Sequence, residues 1–222
     1  MALTKITGEG LGSLGTGNLT HGSDSGDTRF TLNSANQYTL VLKNAGNIAG
    51  QIGGSGSDVL RFSNAAGATI MEMNAGQITK PLQPAFLATA SINQNNFGVG
   101  SDVTVNFGTE VFDQNADYNG TTTFTAPVTG KYHLSTSVGL LNIDSASTYY
   151  LIKIITSNRT YLKIIDPDFG QDNAYFSMCL TVVADMDASD TAAVKVVQGS
   201  GATQTDIEGN GSYTNFSGAL LC

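Results

Sequence analysis

Six aspartates lie within a stretch of 25 residues that contains no lysine or arginine: Asp166, Asp168, Asp172, Asp185, Asp187 and Asp190. Calcium binds several carboxylate and carbonyl oxygens that converge from loops. These aspartates flank the ends of predicted strands, so Asp166, Asp168 and Asp172 are candidate calcium ligands. The sequence has no Asp-x-Asp-x-Asp-Gly loop, and the alternative is that the side chains are solvated loop residues.

Residues for catalysis are few. A nucleophile–base–acid set requires a histidine, and neither His21 nor His133 lies in a recognisable motif. The cysteines and histidines lie at no spacing that suits structural zinc. Asp185 and Asp187 could form the acid pair of a glycan-cleaving enzyme only if they shared a strand face. The sequence therefore predicts a non-enzyme, with calcium as the one cofactor to consider.

Charge and hydropathy exclude two classes of partner. Residues 84–222 hold thirteen acidic and five basic side chains, which account for the whole net charge of −8. Phosphate backbones would repel such a domain, so we expect no nucleic-acid partner. No apolar run approaches the roughly eighteen residues of a membrane span, so we expect no membrane insertion.

The opening residues lack the apolar core of a secretory signal, which predicts a protein made in a cytoplasm. The two cysteines, Cys179 and Cys222, are then expected as reduced thiols, although a disulfide between them stays open. Cys179 lies in an apolar run, where we expect it to be buried.

Residues 84–222 have the pattern of an all-β domain. Residues 131–141 alternate strictly, with Tyr132, Leu134 and Val138 on one predicted face. Residues 149–155 and 160–165 predict a hairpin, and residues 175–183 are apolar throughout, as in a strand buried on both faces. Further strands are predicted at residues 121–126, 192–197 and 212–221. Turns at this spacing favour a two-sheet sandwich.

Residues 1–83 have a different amino-acid composition, which is rich in glycine and poor in aromatic residues. Asn-Ala-Gly-type turns recur near residues 44–47, 64–67 and 74–76 between short alternating runs. Pro81 and Pro84 mark a boundary. We predict an anchoring arm at residues 1–37, a β-rich shaft at 38–83 and a head at 84–222. Three chains could pool their apolar side chains in such a shaft; the alternative is a set of loose hairpins on a tether.

Three motifs resemble the globular head of the first complement component, a jelly roll related to tumour necrosis factor: Pro84-Ala85-Phe86-Leu87-Ala88, Phe124-Thr125-Ala126-Pro127-Val128-Thr129-Gly130-Lys131-Tyr132 and Asn215-Phe216-Ser217-Gly218-Ala219-Leu220-Leu221. The resemblance implies a ten-stranded jelly-roll sandwich that forms a homotrimer. It also implies that the first and last strands lie side by side in a sheet facing the threefold axis. Thr129 and Ser189 depart from the family pattern, and no collagen repeat precedes the head.

The same resemblance assigns roles to individual residues. Gly130 and Gly218 match glycines at a tight turn and a close packing point. Five apolar residues are expected in the protomer core or at the trimer seam: Phe86, Phe124, Tyr132, Phe216 and Leu220.

The opening segment resembles the start of marine bacteriophage appendage proteins, in which such a segment plugs into the particle. This implies that the arm, with Leu3, Ile6 and Leu11, binds other virion proteins. We therefore expect a virion appendage, a tail or capsid fibre, whose head binds a host-surface glycan or protein through loops near residues 142–147, 166–173 and 199–211. The alternatives are a cellular adhesion or ligand-type signalling module and a capsid-decorating protein with no receptor role.

Overall fold

The computed structural model describes residues 37–44, 47–55, 59–74 and 76–222. These residues form sixteen strands and no helix, which confirms the all-β class for the described part of the chain. No described helix could therefore cross a membrane. The expected anchoring residues Leu3, Ile6 and Leu11 lie outside the described residues.

The first five strands form one antiparallel sheet in which each strand pairs with the next, here called the shaft sheet. Its strands are β1 (Gln37–Asn44), β2 (Asn47–Ser55), β3 (Val59–Ser63), β4 (Thr69–Asn74) and β5 (Gln77–Thr79).

Asparagine and glycine shape the turns of the shaft sheet. Between β3 and β4, the Asn64 Oδ1 atom accepts the backbone N–H groups of Ala66 and Ala68 at 3.0 and 2.9 Å. Gly67 and Gly76 have φ angles of +84° and +83°, a region that glycine enters without a steric cost. Residues 64–67 form a turn, and Asn74 pairs with Gln77 across the next connection, whereas residues 45, 46 and 75 lie outside the described residues.

The head contains eleven strands, one more than expected, and two of them, β7 and β15, are only two residues long. The strands are β6 (Ala85–Thr89), β7 (Val103–Thr104), β8 (Thr109–Asp113), β9 (Thr123–Thr125), β10 (Gly130–Ile143), β11 (Tyr150–Thr156), β12 (Thr160–Ile165), β13 (Asn173–Met186), β14 (Thr191–Gln198), β15 (Asp206–Ile207) and β16 (Asn215–Leu220).

These strands divide into two sheets. The first sheet has the order β13-β10-β16-β6-β8, with β15 beside β10, and the second has the order β12-β11-β14-β7, with β9 beside β14. The first and last strands of the head, β6 and β16, are antiparallel neighbours, with Phe86 opposite Gly218. The chain crosses repeatedly between the sheets and returns to its starting strand, which is the connectivity of a jelly roll. The expected sandwich and the expected β6–β16 neighbourhood are both confirmed.

An aromatic cluster fills the space between the two sheets. The ring of Phe86 stacks on Phe124 at a centroid distance of 4.8 Å and meets the edge of Phe216 at 5.0 Å. Tyr132 packs at 5.5 Å from Phe124 and donates its hydroxyl to the Val128 carbonyl at 2.7 Å. Each such side chain contributes about 1.5–3 kcal/mol by leaving water. This core is complete within one chain, so the head has its own hydrophobic centre.

The prediction that the strand at residues 175–183 is buried on both faces is wrong. These residues belong to β13, which is an edge strand of the first sheet and is covered on one face only within the described chain. Met178 is 2% exposed, whereas its outward neighbours Tyr175 and Val183 are 75% and 57% exposed. Cys179 also points outward and is exposed rather than buried. Both cysteines are free thiols.

Candidate binding site in the distal loops

Four connections lie at the end of the head that is opposite to the entry of the chain at Ala85. Strands β6, β10, β12 and β14 all end there, while β11, β13 and β16 begin there. The connections comprise residues 90–102, 144–149, 166–172 and 199–214. Together they are called the distal loops here. All three predicted binding segments fall within or beside them, so the fold brings these segments together.

Asp144 joins two of the distal loops. It is buried, at 3% exposure, and its carboxylate accepts three backbone N–H groups. Its Oδ1 atom accepts from Ala146 at 2.8 Å, and its Oδ2 atom accepts from Ala202 at 2.6 Å and Thr203 at 2.8 Å. The Thr203 hydrogen bond is the main cause that lowers the pKa of Asp144, because it favours the charged carboxylate. The buried charge thereby fixes the path of both loops.

Gly201 is required by this arrangement. Its φ angle is +123°, and a Cβ atom built on it would lie 2.4 Å from Asp144 Oδ2. Any side chain would therefore meet the carboxylate as well as the strained backbone. Gly201 lets the loop wrap closely around Asp144.

A layer of buried polar groups supports Asp144 from below. The Tyr150 hydroxyl accepts the Asp144 backbone N–H at 3.0 Å and lies 2.7 Å from the Thr205 hydroxyl. Gln198 is fully buried: its Nε2 donates to the carbonyls of Ser200 and Thr203, and its Oε1 accepts the N–H of Thr205. Burial raises the pKa of Tyr150, so its hydroxyl stays neutral. A network satisfied in this way makes the loops rigid.

Two further carboxylates attach the remaining distal loops. Asp172 Oδ1 accepts both the backbone N–H of Ser145 at 2.8 Å and its hydroxyl at 2.6 Å, and the hydroxyl bond is the main cause that lowers the pKa of Asp172. Asp206 Oδ1 accepts the N–H of Asn96 at 2.6 Å, and the neighbouring Phe97 N–H reaches the Thr205 carbonyl. All four distal loops are therefore connected by hydrogen bonds.

The predicted calcium site is not assembled. Within the described residues, no group of three or more Asp, Glu, His or Cys side chains is placed to hold one ion. Asp172 is occupied by Ser145, as above, and Asp166 Oδ1 accepts the backbone N–H of Asp168. The carboxylates of Asp166 and Asp172 have separate partners, so the described residues give no ligand set for calcium.

The other carboxylates singled out by sequence lie at the opposite end of the head. Asp185 forms an ion pair with Lys131 at 2.5 Å, and Asp187 accepts the Thr129 hydroxyl at 3.4 Å. Asp190 Oδ2 accepts from Asn158 Nδ2 at 2.6 Å. These contacts close turns around the start of β10. His133 is exposed on the outward face of that strand, opposite Val183.

The residues assigned by resemblance lie inside the protomer. Phe86, Phe124, Tyr132 and Phe216 are each no more than 1% exposed, and Leu220 is partly buried against them. A Cβ atom on Gly218 would lie 2.6 Å from the Phe86 ring, and one on Gly130 would lie 2.5 Å from the Cys222 carbonyl oxygen. Both glycines are points of close packing.

A groove of about 580 Å³ lies at the base of the head, where the chain enters. Leu82, Pro84, Val128 and Leu220 are among the residues that line it. Hydrogen bonds hold the entering segment there: Gln114 Nε2 donates to the Pro81 carbonyl at 2.8 Å, and Asn115 Nδ2 to the Leu82 carbonyl at 3.0 Å. The groove thus belongs to the junction between the shaft sheet and the head.

Sequence reasoning missed the residues that organise the distal loops. Asp144 was included only as part of a loop, and Gln198 and Thr205 were not singled out. The loop at residues 90–102 was not predicted as part of the site. The one signal in the sequence was Gln198, which ends an apolar strand. A glutamine that is buried there needs hydrogen-bond partners, and these organise the neighbouring loop.

Comparisons with known proteins found similar chains among solved structures only. No family model matches the chain, and no curated protein matches it. Among solved structures, the globular domain of zebrafish complement 1qA protein is similar, with 16% identity and a TM-score of 0.45, over 63% of this chain and 98% of that one. Murine APRIL at pH 8.5 is similar at 13% identity and a TM-score of 0.46, over 63% of this chain and 99% of that one. The jelly-roll assignment rests on the strand order described above.

Proposed function

We propose that this protein is a homotrimeric appendage of a bacteriophage particle, made in the host cytoplasm, whose head binds the host surface through its distal loops. The observation that carries the proposal is the buried Asp144 carboxylate, which fixes the loop at residues 144–149 against the loop at residues 199–214. Loops fixed in advance lose little conformational entropy when they bind. The site faces away from the point where the chain enters the head, as a tip must.

The chemistry of the distal loops favours an uncharged, hydroxyl-rich ligand such as a neutral glycan. The four loops contain no lysine or arginine and seven carboxylates, so an anionic ligand would be repelled. Hydroxyl and amide groups of Thr148, Ser200 and Gln204 lie on them, and Phe169 is 41% exposed. Such groups hydrogen-bond sugar hydroxyls, while an exposed ring packs on the apolar face of a sugar. Weak single contacts gain avidity when several copies bind together.

The virion role is supported by the opening segment, whose residues Leu3, Ile6 and Leu11 we assign to docking on other virion proteins. The head then stands away from the particle. We assign no catalytic role, because Asp185 is engaged by Lys131 and lies at the end of the head remote from the distal loops.

A pair of matched variants tests the binding role in the full-length protein. Ala146→Arg adds bulk and positive charge to an exposed distal loop, and Ala188→Arg makes the same change on an exposed loop at the base. Wild-type protein and Ala188→Arg should compete with phage for adsorption to host cells, and Ala146→Arg should not. A wild-type protein that fails to compete would favour a capsid-decorating role. Binding to the producing cells instead of to a phage host would favour the adhesion or signalling alternative.

A further inference from the structure

The shaft sheet has two unlike faces. Cross-strand pairing places Leu60 opposite Met73 and Met73 opposite Ile78, so these residues form one row across three strands. A second row on the same face runs through Ile52, Phe62 and Met71. These two rows are called the apolar face of the shaft sheet. The opposite face carries the ion pair between Arg61 and Glu72, whose atoms lie 2.7 Å apart, and the buried side chain of Val59.

The apolar face is open to water in a single chain. Leu60, Met73 and Ile78 are 40%, 39% and 62% exposed, and Phe62 and Met71 are only half-buried. Among the described residues, no second layer packs on this face in the way that the two head sheets pack on each other. A sheet of one layer is marginally stable until its apolar side is covered. The shaft sheet therefore requires a covering partner.

The face of the first head sheet that points away from the protomer core would stabilise an association between copies less strongly. Its central positions are small and polar, and Ser135 lies within hydrogen-bond distance of Thr181 across the strands, at 2.9 Å. Ser137 and Ser217 continue this surface on β10 and β16. On β10 and β16, the large apolar side chains of Tyr132, Leu134 and Phe216 point into the protomer core instead. Tyr175, Val183 and Phe112 remain exposed on this face, but on its two edge strands, β13 and β8.

The head and the shaft sheet also differ in charge. Residues 84–222 carry thirteen acidic and five basic side chains, so heads of neighbouring copies repel one another. Residues 37–83 carry two acidic and three basic side chains and are almost neutral. Identical shaft sheets can therefore approach without a large electrostatic cost.

We infer that copies of this chain associate through the apolar faces of their shaft sheets, and that the head sheet is not the main seam. The partner on each apolar face is the same face of the other copies, packed around a common axis. This inference rests on the proposed homotrimer and locates the contact that holds it together. The head then projects as a unit that is folded on its own core.

Two full-length triple variants test the location of the contact. Leu60→Thr/Met73→Thr/Ile78→Thr changes the apolar face of the shaft sheet and keeps residues that favour strands. Val111→Thr/Phe112→Thr/Val183→Thr changes equally exposed apolar residues of the head. In sedimentation equilibrium at micromolar concentration, wild-type protein and the head variant should be trimers, and the shaft variant should have the mass of one 23.1 kDa chain. A shaft variant that stays trimeric, or a head variant that dissociates, overturns the inference. A monomeric wild-type protein instead overturns the proposed trimer itself.

The triple shaft variant would also dissociate if its shaft sheet unfolded, so a cross-linking measurement provides a second test of the contact. In a Cys179→Ser/Cys222→Ser background, Met73→Cys places a thiol on the apolar face. Thr79→Cys places one on the opposite face, where Thr79 pairs with Glu72. On oxidation, Met73→Cys should form disulfides between copies, and Thr79→Cys should form none. Equal cross-linking by the two variants would contradict packing through the apolar face.

Discussion

The Asp144 Oδ2 atom accepts the backbone N–H of Thr203 at 2.8 Å across 59 residues of sequence. The same oxygen accepts from Ala202, and its companion oxygen accepts from Ala146 within its own loop. This buried carboxylate therefore takes the place of water as the hydrogen-bond acceptor for three backbone N–H groups that are not paired within the sheets. The charge on this carboxylate is tolerated because three donors surround it.

Asp144→Asn should destabilise the head by about 2 kcal/mol, because an amide has one acceptor oxygen and adds donors where donors already converge. The free energy of unfolding from urea denaturation measures this loss. Hydrogen exchange should also accelerate at the amides of Ala202 and Thr203. Asp168→Asn is the matched control, since the Asp168 side chain lies exposed on a distal loop, and it should leave both readouts unchanged. Unchanged exchange in Asp144→Asn would show that other contacts hold the loops.

The stabilisation by Asp144 should depend on pH. The folded-state pKa lies below the ordinary value of 3.8, so the charged form favours folding. The contribution is fully present above the unfolded-state pKa and is lost as the pH falls through the folded-state pKa. The difference in stability between wild type and Asp144→Asn should therefore be constant near neutral pH and shrink below pH 3.8. Urea melts at several pH values check the sign, and a difference that grew in acid would contradict it.

Gly201→Ala should cost about 2–4 kcal/mol, because it combines a strained backbone with a contact between Cβ and Asp144. Gly170→Ala is a close control, since Gly170 also has a positive φ angle, +75°, but a Cβ atom there would meet nothing within 4 Å. It should cost only about 1–2 kcal/mol for the backbone. Thermal unfolding of both variants gives the comparison. Equal costs would mean that the loop shifts to accommodate the methyl group.

Much of the fold could be predicted from the sequence, because a strand that buries one face alternates apolar and polar residues with a period of two. In β10, Tyr132, Leu134 and Val138 are buried and His133 is exposed, as their alternation predicted. The hairpin of β11 and β12 was likewise predicted, since Asn158 lies between two apolar runs. In β13 the same reasoning failed for Cys179. Apolar residues occupy both faces of that strand, and the sequence does not say which face the second sheet covers.

The candidate site could be predicted only in part. Its loop segments follow from the strands that bound them, because segments between strands must lie at the ends of a sandwich. The role of Asp144 does not follow, since Asp-Ser-Ala-Ser looks like an ordinary turn and its partners at residues 202 and 203 are distant in sequence. The candidate calcium ligands illustrate the same limit, because closeness in sequence does not by itself place side chains around one ion. Asp166, Asp168 and Asp172 are close in sequence, but the described structure does not bring their carboxylates into one group.

Gly218→Ala should destabilise the head by about 1–3 kcal/mol through overpacking. The added methyl group would lie 2.6 Å from Phe86 and 2.8 Å from Leu134, both in the core. Ser217→Ala, on the neighbouring outward position of β16, should change stability by less than about 0.5 kcal/mol. Chemical denaturation of each variant provides the values. Neutral behaviour of Gly218→Ala would indicate that β6 and β16 can separate slightly.

Asp117→Asn should stabilise the head at neutral pH, on the order of 1 kcal/mol, because the Asp117 Oδ2 atom is buried and has no hydrogen-bond partner in the described structure. Burial, and then the nearby Asp113 carboxylate, raise the pKa of Asp117 above its ordinary value of 3.8. Ionisation of Asp117 therefore opposes folding, and the wild type loses stability as the pH rises from the unfolded-state pKa through the higher folded-state pKa. The advantage of Asp117→Asn should appear over that interval and be absent below pH 3.8.

Asp113→Asn is the informative contrast for Asp117. The Asp113 carboxylate accepts the backbone N–H groups of Asp117 at 3.1 Å and Tyr118 at 2.8 Å, so an amide in its place should weaken the turn. The two substitutions remove the same charge from neighbouring positions, yet their effects on the free energy of unfolding at pH 7 should have opposite signs. If both variants were stabilised equally, repulsion between the two carboxylates would be the dominant effect, and the unpaired oxygen of Asp117 would contribute little.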